Sequence, residues 1–225
     1  MQSLALYEEL MLLALCEEKG TIQSAYIGYA VAAGVLAELK LQQRIKLESG
    51  RRKHVKVIDN SPVDDPVLAE CMQIIRHAKR PKVLRSWVNH LAFIKDLNHK
   101  VAKNLAAHGV VDATEDKVLW LFTRRVYPEI NPEPEQALRQ RLRQLVMNPE
   151  AVVDARTVVL LALCQGAQLL PQVFTRKELR EHKPRIKQLV KGNQLGDATR
   201  EVIEAVQIAV MVAVMIPTIT TVTST

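Results

Sequence analysis

The chain opens on a run, residues 3–17, whose apolar side chains fall on more than one helical face, the pattern of a deeply buried helix. Gly20 breaks it. A second apolar helix is expected over 25–43, where Gly28, Ala32, Ala33 and Gly34 leave room for another helix to come close. Residues 44–47, a Glu48-Ser49-Gly50 turn and residues 51–58 read as a β-hairpin, with glycine supplying the turn. Asp65-Pro66 starts a helix with a cap residue and a first-turn proline. Behind it Val67, Leu68, Cys71, Ile74, Ile75 and Ala78 keep helical spacing. A short helix carries Leu84, Trp87, Val88 and Leu91. An amphipathic one over 95–108 sets Leu97, Val101 and Leu105 against Lys95, His99 and Lys103, and Gly109 stops it.

A second hairpin is expected over 110–122, with a polar tip at Thr114-Glu115-Asp116 and a returning strand from Lys117. That strand is apolar on both faces: Val118, Trp120 and Phe122 on one, Leu119 and Leu121 on the other. Such a strand is buried in the protein, buried in an oligomer, or inserted in a bilayer. Arg124 and Arg125 follow at once, cations suited to an anionic interface or to solvent. Pro128, Pro132 and Pro134 form a linker, and helices are predicted over 134–147, 154–170, 175–191 and 197–216. The fold class is mainly α: one helical domain over 1–217 around a central bundle, with two small β-hairpins and a polar tail over 218–225.

Composition fits this. Of 225 residues 48% are hydrophobic and only 4% aromatic, with 8 glycines, so aliphatic side chains on helices must fill the core. Cys16, Cys71 and Cys164 are odd in number and sit in apolar helical patterns, which points to buried thiols in a reducing compartment. The apolar run 208–216 is shorter than the ~18 residues a spanning helix needs. Glu8 and Glu9 near the start argue against a signal peptide. There is no phosphate-binding glycine loop, nucleophile elbow or metal-spaced histidine pair. The adjacent acidic pairs Glu8-Glu9, Glu17-Glu18 and Asp64-Asp65 point about 100° apart on a helix, so solvation or helix-dipole roles are expected. The reading is a non-enzyme without cofactor or metal. A formal charge of +7 and the Arg51-Arg52-Lys53-His54 wing after two helices raise nucleic-acid binding. Helix 25–43 offers Ala, Val, Gly, Leu and Tyr where a reading helix needs polar side chains, which speaks against that class.

The ordered set LALYEELMLLAL (4–15), AELKLQQRIKL (37–47), VAKNLAAHGVV (101–111), KVLWLFTRRVYPEINPEPEQALRQRLRQLV (117–146) and RKELREHKPRIKQLVKG (176–192) resembles the Golgi phosphoprotein 3 family, in particular its bacterial branch. The resemblance implies a compact helical domain with a hydrophobic hairpin and no catalytic activity. It also implies binding of phosphatidylinositol 4-phosphate and of cytosolic segments of membrane proteins. The family's headgroup pocket falls on Gln23, Ala32, Lys95 and Asn98, of which only Lys95 is charged. His99, Lys100, Lys103 or the Arg51-Arg52-Lys53 wing are candidates to supply further charge. The expectation is a cytoplasmic protein that associates with membranes peripherally and reversibly, through anionic phospholipid or phosphoinositide headgroups and the Val118–Phe122 hairpin. The alternative is a soluble homo-oligomeric scaffold whose hairpin is a subunit contact.

Overall fold

The computed structural model describes residues 4–16, 19–48, 53–118, 122–191 and Ile203, and for 115–118 and 122–124 the backbone alone. Helix α1 (Leu6–Ala14) is buried along every face, Glu8 and Glu9 included. It is the hub of the bundle and packs on α2 (Ile27–Leu41), α5 (Leu97–Ala107), α6 (Glu133–Met147) and α7 (Ala155–Gly166). Helix α7 is its equal in burial, from Thr157 through Cys164. Helices with no polar face have nowhere to sit but the centre.

Around this pair lie α3 (Pro66–Arg76), α4 (Leu84–Ala92), α8 (Arg176–Glu181) and α9 (Lys183–Val190). The starts of α3, α7 and α8 are written in side chains. Asp65 accepts the Leu68 amide at 2.8 Å, with Pro66 in the first turn, and Asp154 accepts the Thr157 amide at 2.9 Å. Thr175 and Glu178 cap α8 reciprocally. Gly109 ends the α5 segment at φ +70°, as its position after the amphipathic run predicts. The helix expected over 154–170 stops at Gly166, because Gln168 turns left-handed and Pro171 starts a short 3-10 turn, Leu170–Gln172. The one expected over 175–191 breaks at His182, ahead of Pro184. Of the closing helix and the 218–225 tail, only Ile203 is among the described residues, and it is helical and buried.

Among the described residues there are two antiparallel hairpins. Strands β1 (Ile45–Leu47) and β2 (Val55–Val57) pair as expected, with Lys46 directly opposite Lys56. The second hairpin corrects the sequence reading. Strand β3 (Thr114–Val118) contains the residues expected at the tip, and β4 (Phe122–Val126) returns after them. The last pair of the register is Val118 opposite Phe122, so these two close opposite strands rather than sharing one face of a single strand. The physical reason lies in the polar residues: Glu115 stands opposite Arg125 and Asp116 opposite Arg124, a register that favours opposite charges. Leu119, Trp120 and Leu121, between the strands, lie outside the described residues, as do Arg51 and Arg52.

Cys71 and Cys164 are buried and Cys16 is half-buried, and none of the three is in a disulfide. Among the described residues no helix is long and apolar enough to cross a membrane.

Candidate functional site

Three connections meet at one end of the bundle. The first is the tight turn between α4 and α5. The Ile94 and Leu97 amides donate to Leu91 and Ile94 carbonyls, and Asp96 takes a left-handed conformation at φ 61°. This leaves Phe93 78% exposed, its ring meeting Tyr29 edge-on at 6.1 Å. Lys95 beside it is exposed and makes no ion pair with a described residue.

The second connection is the β3–β4 hairpin, fastened to that turn. Arg125 of β4 donates to the Asp96 carboxylate at 2.6 Å, and this bond holds the Asp96 carboxyl below the usual range. Just past β4 the Tyr127 hydroxyl and His99 Nδ1 are 3.0 Å apart. The third is the α1–α2 connection, where the Tyr127 amide donates to the Gly20 carbonyl at 2.8 Å. Gly20 has φ +57°, and a Cβ there would stand 2.3 Å from the Tyr127 carbonyl carbon and the Pro128 nitrogen, so only glycine allows this approach.

The pocket positions taken from the sequence have different fates. Gln23 is exposed on the α1–α2 connection, and its side-chain oxygen accepts from Gln172 at 3.2 Å. Ala32 is wholly buried in α2 and has no surface to offer a headgroup. Lys95 and Asn98 flank Asp96, with the Asn98 Oδ1 shielded and unpartnered. Of the supporting cations, Lys100 is bonded to Glu70 at 2.6 Å, so its charge is already matched, and His99 is held by Tyr127. Sequence reasoning passed over Phe93. Its signal was a large apolar residue, outside the helical period, two positions before Lys95.

A second polar cluster overturns part of another expectation. Glu8 and Glu9 stand in the first turn of α1, as a helix-dipole role requires, but at 1% and 5% exposure they are not solvated. Helix α1 has no outward face, so its carboxylates are taken inside and paired. Glu8 accepts from the Ala5 amide at 2.8 Å and from Asn104 Nδ2 at 3.1 Å, with His108 Nδ1 3.3 Å away. Tyr7 donates its hydroxyl to Asp65, which also accepts from Asn104 at 2.9 Å. Arg141 reaches Glu9 at 2.7 Å, and Arg156 holds Glu38 at 3.0 Å. Burial raises the Glu8 and Glu9 carboxyls and the Tyr7 hydroxyl above their ordinary values. Asn104 on α5 and His108 at its C-cap, four apart, were the legible trace of this network. With its members bonded to one another it joins α1, α3 and α5 rather than presenting a nucleophile. Among the described residues no group of histidine, cysteine or carboxylate side chains could hold a metal.

The family model described as Golgi phosphoprotein 3 matches residues 6–206, from the first residue of α1 past Ile203. No curated protein matches the chain.

Proposed function

Because the chain belongs to the Golgi phosphoprotein 3 family, we propose that it is a non-enzymatic cytoplasmic protein that docks reversibly on anionic bilayers. It does so with the end of the bundle that carries the α4–α5 turn and the β3–β4 hairpin. The observation that carries this reading is Phe93, 78% exposed next to exposed Lys95, on a turn tied by Asp96–Arg125 to a hairpin whose intervening residues are Leu-Trp-Leu. A monomeric soluble protein gains nothing from a fastened aromatic in water, and a bilayer interface accepts one.

The energetics support a weak, additive anchor. Burying a phenylalanine ring is worth ~1.5–3 kcal/mol, and each cation near an anionic surface adds about 1 kcal/mol. Selectivity then follows surface charge rather than headgroup identity, because Ala32 is inside the core and Gln23 and Asn98 are uncharged. Cytosolic segments of membrane proteins are the partners such a docked protein would meet.

Vesicle flotation tests this. The expected result is binding to phosphatidylglycerol vesicles and to charge-matched phosphatidylinositol 4-phosphate vesicles alike, little binding to neutral ones, and release as salt shortens the screening length from about 10 to about 3 Å. Phe93→Ser, Trp120→Ala and Lys95→Glu should each reduce the bound fraction several-fold while leaving the circular dichroism unchanged. Wild-type protein that stays in solution with every vesicle, and whose oligomer splits on Trp120→Asp, would overturn the reading in favour of a scaffold.

A further inference from the structure

We propose that a second surface, at the other end of α4, binds a phosphate group: the cavity between β2 and the α3–α4 connection. Its volume is about 390 Å³, and Lys56, Arg76, Arg80, Asn60 and Trp87 are among its lining, which includes no carboxylate. Six arginines elsewhere, Arg44, Arg125, Arg139, Arg141, Arg143 and Arg156, pair with acids. Lys56, Arg76 and Arg80 are exposed and pair with no described residue.

Three independent features indicate that this concentration of charge is built. Strand β1 places Lys46 directly opposite Lys56, a like-charge pair that costs stability unless an anion sits over it. The other edge of β2 is fixed to the connection, since the Val55 amide donates to the Lys82 carbonyl at 3.0 Å and His54 bridges Val83. Backbone bonds on both edges therefore hold β2 beside the connection, and Lys56 and Arg80 line the same cavity. Beneath them Trp87 is 1% exposed, its ring faced by the Lys82 ammonium at 4.7 Å, and its indole N–H is shielded without an acceptor. Unmatched cations that converge on a concave, acid-free wall suit a compact dianion, and guanidinium groups suit phosphate oxygens in particular.

This site is independent of the membrane reading. It lies by the first turns of α4 and Phe93 follows its last, and nine helical residues span roughly 13 Å. The phosphate is either free or the headgroup of a lipid, and the arms of the test separate these sources. In the first arm, inorganic pyrophosphate is titrated calorimetrically into the full chain at constant ionic strength. A saturable one-site isotherm is expected, weakened about tenfold by Lys56→Ala or Arg80→Ala, as losing one charge-assisted bond implies, and unchanged by Lys187→Ala on α9, which does not line the cavity. In the second arm the same variants are floated with the vesicles above. Unchanged flotation assigns a free phosphate, and selective loss of phosphatidylinositol 4-phosphate binding assigns a headgroup. Absence of saturable heat, or equal weakening by Lys187→Ala, overturns the site and leaves the docking reading standing.

Discussion

Carboxylates in this protein behave according to what surrounds them, and the contrast is sharpest between Glu8 and Glu178. Glu8 is drawn into α1's buried surroundings and its carboxyl rises, so folding binds protons through it. Glu178 is accessible, but Arg143 grips it with two guanidinium nitrogens and the Thr175 amide adds a third bond, holding its carboxyl down to about 2. A lowered folded-state value contributes stability above the unfolded value near 4.5, and that contribution disappears as pH falls through about 2. Urea midpoints of the wild type and Glu178→Gln should therefore differ at pH 7 and converge towards pH 2. A gap that persists at pH 2 would show that the carboxylate's charge is not what stabilises α8. Asp65 was legible as a helix cap because its role is local. Its bonds to Tyr7 and Asn104 span 58 and 39 residues, and no local pattern carries them.

At the scale of elements, glycine marks where segments touch. A Cβ on Gly34 of α2 would lie 3.0 Å from the Tyr7 Cα and 2.9 Å from a Leu10 methyl, so α1 and α2 meet at backbone distance. Gly34→Ala should cost ~1–3 kcal/mol. Gly20→Ala should cost more, because it meets backbone atoms and a positive φ together. At Gly28 the nearest atom is the Ala92 carbonyl oxygen at 3.7 Å, and Ala there should be neutral or stabilising by up to about 1 kcal/mol. Equilibrium denaturation ranks the three, and a Gly34→Ala protein as stable as wild type would refute the close approach. The small residues of α2 revealed this packing in the sequence. The β3–β4 hairpin was less legible, because an unbroken apolar run has no alternation to set a register. The acidic-basic pairing that does set it joins residues 8 to 10 positions apart.

The whole molecule is built on two buried helices, α1 and α7, and this architecture was readable because their sequence segments are apolar on more than one helical face. Where the connections converge was not readable, since it depends on how the bundle folds back on itself. The same architecture makes two of the three cysteines into timepieces. Burial pushes the Cys71 thiol up to about 12 and Cys164 further still, while half-buried Cys16 sits near the surface. A thiol reagent at neutral pH must then wait for the core to open before it modifies either buried sulfur. Cys16 should react first and Cys164, on a central helix, last. If Cys71 keeps pace with Cys164, the protein opens as one cooperative body. If Cys71 reacts well before it, the layer formed by α3 peels away while the central pair stays shut.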